Sequence, residues 1–351
     1  MPQPTPALHE ICDLRSDTVT RPTAAMRAAM AAAPVGDDQF GEDPTINELQ
    51  ARIATLLGKP SALWLPTGTM ANQVVLRTAT RPGDDVVVSR ESHAVWHETG
   101  GGAANAGVQF TEVGQRGVFT ADDFLAARKP RGHLLYPPTS LVEIENTHNR
   151  AGGIVFPQDE AERICAAARA HDVLSFLDGA RLWNAAVALN RTPADLASPF
   201  DVVSVALSKG LGAPGGSVIA ASSDIIARAV RHRRMLGGAM RQIGIFGAAG
   251  LHALDHHMTR LADDHAHARS IARRLVASSR VVLDLASVQT NIIVFNLAPG
   301  APDAAGVVER ARKRGVLIVA FGPRTVRAVT HMDVTREQCE RAADVLVEVI
   351  G

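Results

Sequence analysis

Between residues 45 and 221 short apolar, β-branched runs alternate with stretches of helical spacing, and no other feature restricts the fold as much. Residues 46–57 carry apolar side chains at helical spacing, 62–65 read as a strand before a turn, 70–80 are helical, and Asp85–Ser89 is again a strand. Further strands are expected at 141–145, 174–177, 202–207 and Ser217–Ala221, with a helix over 159–171. Apolar strands this short, separated by helices, belong to a mostly parallel sheet covered on both faces, the α/β class. A long helical region follows over about 224–279. Strands are then expected at 291–297, 316–321 and 326–330, with helices over about 303–314 and 335–350. The division this implies is a loose Pro-rich segment over 1–12, a large domain over 13–255 and a smaller C-terminal α+β domain over 256–351.

In an open α/β sheet, ligands collect beyond the carboxyl ends of the strands. Three such ends carry reactive residues. Lys209 follows the 202–207 strand and enters a Gly-rich turn (SKGLGAPGG). A lysine desolvated there can have a depressed pKa and form a Schiff base, although a lone SKG tripeptide reads better as an exposed lysine in a tight turn. Asp178 ends the 174–177 strand. A carboxylate in that position can hold a pyridinium nitrogen protonated, or it can cap the next helix, and the stretch alone does not choose. Arg181 lies three residues on. At 65–73 (LPTGTMANQ) a strand, a small-residue turn and a helix start follow in order, aiming backbone N–H groups and the helix dipole at an anion such as phosphate.

Charge and cysteine content narrow the rest. The 36 basic and 36 acidic side chains cancel, so no overall field favours nucleic acid or an anionic membrane. Cys12, Cys165 and Cys339 are odd in number and far apart, against a disulfide framework or zinc knuckle and in keeping with a reducing, cytoplasmic setting. The N-terminus lacks a basic start followed by an apolar run, and no apolar run approaches membrane-spanning length. His252 and His256 share a helix face, but without an HExxH pattern they read as solvated, and no metal is expected.

Taken together and in order, these stretches resemble the low-specificity L-threonine aldolases, of the fold-type I (aspartate-aminotransferase-like) pyridoxal-phosphate enzymes that also include β-eliminating lyases. The resemblance runs from about Asp13 to the C-terminus. It is carried by DLRSDTVTRP at 13–22, GDDQFGEDP at 36–44, PTGTMANQ at 66–73, ENTHN at 145–149, DGARLWN at 178–184, LSKGLGAP at 207–214, MLGGAMRQ at 235–242 and VRAVTH at 326–331.

The resemblance implies pyridoxal 5′-phosphate and cleavage of β-hydroxy-α-amino acids such as L-threonine or L-allo-threonine to glycine and an aldehyde. A β-eliminating lyase or related transferase, or a cofactor-binding protein without turnover, are the other readings. It further implies Lys209 as the Schiff-base lysine, Asp178 facing the pyridine nitrogen, Gly68 and Thr69 at the phosphate, and His93 stacked on the ring. Ser16, Arg181 and Arg327 would stand around the substrate carboxylate and cofactor. Arg241 would reach the phosphate across a subunit interface of a homo-oligomer, a dimer or tetramer. One departure stands out. Relatives often carry a histidine shortly before the ENTHN strand, where this chain has Leu135 or Tyr136, with His133 slightly earlier.

Overall fold

The alternation resolves into a seven-stranded sheet in a computed structural model that describes residues 11–351. The loose segment expected over residues 1–12 lies outside the described residues as far as residue 10. In chain order the strands are β1 (Cys12–Asp13), β2 (Ser61–Leu65), β3 (Asp85–Ser89), β4 (Gln109–Val113), β5 (Thr139–Glu145), β6 (Leu174–Gly179), β7 (Val202–Ala206), β8 (Ser217–Ala221), β9 (Val281–Val282), β10 (Ile292–Leu297), β11 (Val316–Leu317), β12 (Val319–Ala320) and β13 (Thr325–Val329). The large sheet has the order β2-β8-β7-β6-β5-β3-β4. Strands β4, β3, β5, β6 and β7 run parallel, and β8 and β2 are antiparallel to their neighbours.

Successive side chains on a strand face opposite ways, and here each face meets its own helices. Val87, Val142, Ile144, Leu177 and Val203 share a core with Ile46, Leu49 and Ile53 of the helix Pro44–Leu56 and Ile164 of the helix Gln158–Ala170. Val86, Val88, Leu141 and Phe176 pack on the other face with Ala71, Val74 and Val75 of the helix Gly68–Ala79. Burial on both faces explains why these strands read as continuous apolar runs.

A four-stranded antiparallel sheet, β12-β13-β10-β9, carries a second core with the helices Leu261–Leu275, Ala304–Lys313 and Arg336–Ile350. Cys12 and Leu14 are buried in that same core, because β1 pairs in parallel with β11. The stretch expected as one strand over 316–321 is broken at Ile318: β11 pairs with β1, and β12 pairs with β13. The helical region over 224–279 is three helices, Ser223–Met235, Gly244–His256 and Leu261–Leu275, parted at the left-handed Gly237 and again after His257. Among the described residues no helix is long and apolar enough to cross a membrane.

Candidate active site

The carboxyl ends of β5, β6 and β7 open onto a cavity of about 380 Å³, whose lining includes Gly68, Thr69, His93, Asp178 and Lys209. Local chain chemistry places each of them. Thr67 caps the helix Gly68–Ala79 by accepting the N–H of Met70. Gly68 and Thr69 are the first helical residues, so their N–H groups have no intrahelical acceptor and point out of the helix end. Lys209 sits in the β7–β8 connection, where Gly212 donates to the Lys209 carbonyl and Ala213 to that of Leu207. Gly212 is left-handed, and a Cβ on it would lie 2.4 Å from the Met332 sulfur, so the tight turn favours glycine. Thr20, from the segment after β1, donates its hydroxyl to the Lys209 carbonyl at 3.1 Å.

Polar side chains around the cavity form a connected network. Asn72 Nδ2 donates to Asp178 Oδ2 at 2.8 Å and to Glu98 Oε1 at 2.7 Å, while Gln73 Nε2 donates to Glu98 Oε2 at 2.7 Å. His93 Nδ1 lies 2.9 Å from Glu98 Oε1, and its backbone N–H donates to Glu145 Oε2 at 2.8 Å. Burial opposes protonation of His93, but the hydrogen bond to Glu98 and the charge of Asp178 outweigh it and raise its pKa. Desolvation and the Glu145 charge raise Asp178. Desolvation lowers the Lys209 amine, and the Arg181 charge adds to it, so its neutral form is favoured. Glu143, two residues before Glu145 on β5, is fully buried and neither of its oxygens finds a partner. Desolvation and the nearby Asp178, Glu98 and Glu145 push its pKa well up.

Ser16, Arg181 and Arg327 are not in the cavity lining, although Arg181 stands near enough to Lys209 for its charge to act on the amine. Arg181 is buried and already bidentate: Nε donates to Asp17 Oδ2 at 2.7 Å and Nη2 to Oδ1 at 2.8 Å. Asn291 adds a third donor to Asp17 at 3.2 Å. Desolvation alone would raise Asp17, but Arg181 dominates and holds it below the usual carboxylate range. Ser16 caps the turn Asp17–Val19, accepting from Thr18 N–H at 3.2 Å. Arg327, on β13, donates from Nη1 to Asn149 Oδ1 at 2.9 Å and from Nη2 to the Arg15 carbonyl at 3.0 Å. Desolvation, with the Arg181 charge, lowers it to about 10.

Arg241 is exposed at the surface against Gln39 and Asp37, outside this chain's cavity. His133 stacks on Tyr136 at 3.9 Å, and Leu134 is 96% exposed. That loop precedes β5, at the end of the strand opposite Glu145 and the cavity.

Reading the sequence missed Asn72, Glu98, Glu145 and Asp17 as site residues. Asp17, Asn72 and Glu145 stand inside quoted motifs, yet the partners that give Asp17 and Asn72 meaning lie 164 and 106 residues away. Glu98 stands in none, and nothing in its neighbourhood marks it.

The arrangement can be set beside known proteins. The chain shares its fold with an aspartate aminotransferase double mutant of Thermus thermophilus, at TM-score 0.72 and 16% identity over 97% of this chain and 91% of that one. It is closer to a threonine aldolase of Leishmania major, at TM-score 0.81 and 21% identity over 97% and 99%. These likenesses define an α/β protein of fold type I, aspartate-aminotransferase-like. The family model of β-eliminating lyases matches residues 13–298. In sequence the chain is 40% identical over 333 residues to the low-specificity L-threonine aldolase of Escherichia coli (strain K12), covering 94% of this chain and 97% of that protein. The chain belongs to the β-eliminating lyase family, among the low-specificity L-threonine aldolases.

Proposed function

We propose that this chain is a pyridoxal-phosphate-dependent lyase that cleaves L-threonine, L-allo-threonine and related β-hydroxy-α-amino acids between Cα and Cβ, giving glycine and an aldehyde. The observation that carries the reading is the meeting of Lys209, Asp178, His93 and the Gly68–Thr69 helix end at one cavity, in a chain 40% identical to a low-specificity L-threonine aldolase.

Pyridoxal 5′-phosphate fits these residues. The outward N–H groups of Gly68 and Thr69 suit its phosphate, and nothing lies within 4 Å of where a Cβ on Gly68 would stand. Asp178 would face the ring nitrogen and Lys209 would be the covalent anchor. When bound, the cofactor supplies an electron sink for the pair released as the Cα–Cβ bond breaks.

The chain's own residues then have separable tasks. Desolvation of Lys209, with the Arg181 charge beside it, lowers its pKa and so brings the neutral, nucleophilic amine within easier reach. Asp178, buried and held by Asn72, would keep a proton at the ring nitrogen. His93 would pack on the ring, and with its Nδ1 engaged by Glu98, Nε2 is the nitrogen left to take the β-hydroxyl proton, directly or through a water. Arg327 binds the substrate carboxylate. Arg181 acts with Ser16 and the Asp17 pair to fix the arm that crosses the site. Arg241 serves a neighbouring subunit's phosphate in a dimer or tetramer. The large domain runs over 13–255 and the smaller over 256–351, and the setting is cytoplasmic, with no nucleic-acid or membrane partner.

The test is product analysis on the cofactor-loaded protein, offering L-threonine, L-allo-threonine and L-phenylserine in turn. Glycine and the matching aldehyde in equal amounts support the reading and rank the substrates. Keto acid with ammonia points instead to β-elimination.

A further inference from the structure

Five side chains, on or beside the two sheets, meet in a run of ring and guanidinium contacts. Trp96 ends the short helix His93–Trp96, and Arg150 follows β5. Phe321 lies between β12 and β13, and Arg327 is on β13. The Arg150 guanidinium carbon sits 4.4 Å from the Trp96 ring centre and 4.9 Å from that of Phe321. The Arg327 guanidinium carbon sits 4.5 Å from the same Phe321 ring. His97 stacks on Phe321 at 6.3 Å and 12°.

Two guanidiniums sharing one ring repel each other, and the Arg150 charge is among those that lower Arg327. The negative ring face attracts both and offsets that repulsion. Arg327 is thus held along its edge by Asn149 and the Arg15 carbonyl, and across its face by Phe321. Its Nε is buried without a partner, which leaves the Phe321 ring as a contact that bears on the rotation of the plane. Arg150 in turn is anchored at Nε by Glu91 at 3.1 Å.

We propose that Phe321, Arg150 and Trp96 are positioning residues that set the plane of the Arg327 guanidinium and so govern how well the enzyme binds the carboxylate of its amino-acid substrate. Trp96 and Arg150 lie on segments that follow strands of the large sheet, and Phe321 and Arg327 beside and on strands of the four-stranded one. The contacts therefore also tie the two sheets together at the site. The inference rests on the reading of Arg327 as the carboxylate-binding group.

Steady-state kinetics on the cofactor-loaded protein test it. Phe321→Leu keeps an apolar side chain of similar bulk but removes the ring; KM for L-threonine should rise about three- to tenfold with kcat within about twofold. Phe321→Tyr should stay near wild type. Trp96→Ala should raise KM by about two- to threefold, less because Trp96 is 53% exposed. A binding readout stands beside the kinetics. Trp64 and Trp183 are buried, so quencher-accessible emission reports Trp96. Titration with glycine should change that emission, at a half-saturation that moves up in Phe321→Leu by the same factor as KM. If Arg327→Lys raises KM while Phe321→Leu leaves both KM and the glycine half-saturation unchanged and Trp96→Ala leaves KM unchanged, the carboxylate reading stands and the positioning proposal is overturned. If Arg327→Lys leaves KM unchanged, the carboxylate reading itself falls and this proposal with it.

Discussion

Two fully buried acids on neighbouring strands are treated in opposite ways. Asp85, at the start of β3, accepts from the hydroxyls of Thr111 at 2.6 Å and Thr139 at 2.9 Å, and pairs with Lys129 at 3.0 Å. Glu143, further along β5, has no partner for either oxygen and shares its surroundings with Asp178, Glu98 and Glu145. The amino end of the sheet resolves its buried charge. Near the carboxyl end three further acids gather around Glu143, each with hydrogen-bond partners of its own, while Glu143 itself has none. A buried carboxylate that is paired and hydrogen-bonded supports the fold, whereas an unpaired one opposes it. The contrast separates a region built for stability from one built for chemistry.

The sharpest break would come from Lys209→Ala. Turnover should fall by at least roughly 10³-fold, with the midpoint of thermal unfolding within a few degrees of wild type; a variant that stays active, or one that fails to fold, erases the distinction. Asp85→Ala should do the reverse. Losing the acid strands Lys129 and two hydroxyls and should cost about 3 kcal/mol in denaturant unfolding, with kcat unchanged in the folded fraction. A smaller effect of opposite sign is expected for Glu143→Gln. Its folded pKa lies above the ordinary value of 4.5, so the wild type loses stability as pH climbs from there toward the folded value, while glutamine does not titrate. The melting temperature of the cofactor-free variant should exceed wild type by roughly 2–4 °C at about pH 8 and by less at about pH 5. A gap independent of pH would mean that Glu143 is already ionised. The smallest shift concerns His93. Its pKa is raised above 6.5, so the acid limb of kcat should have its midpoint above that value, and Glu98→Gln should move the limb down by less than about one pH unit.

The same contrast decides what the sequence made legible. The expected strands Asp85–Ser89 and Ser217–Ala221 coincide with β3 and β8 because burial on both faces leaves an unbroken apolar run. Strand β4 was not anticipated: Gln109–Val113 lies at the sheet edge, half exposed, and its mixed polar pattern looks like loop. The change of partner at Ile318 was hidden as well, since one apolar run serves two sheets. At the site, the strand ends carrying Lys209 and Asp178 and the helix start at 68 were visible as local pattern, but their joint reading came from the family resemblance, and the structure brings them to one cavity. His93 was named through family resemblance alone. The supporting Glu98–Asn72–Asp178 network and the Asp17–Arg181 pair were not readable. They depend on distances between residues far apart in the chain, which no local pattern records.

The most direct test of the central claim, that Lys209 and the network around it break the Cα–Cβ bond, is a product balance on L-threonine with wild-type and Lys209→Ala protein side by side. The account predicts glycine and acetaldehyde in equal amounts from the wild type and neither from the variant. A keto acid with ammonia from the wild type, or glycine still formed by the variant, would contradict it.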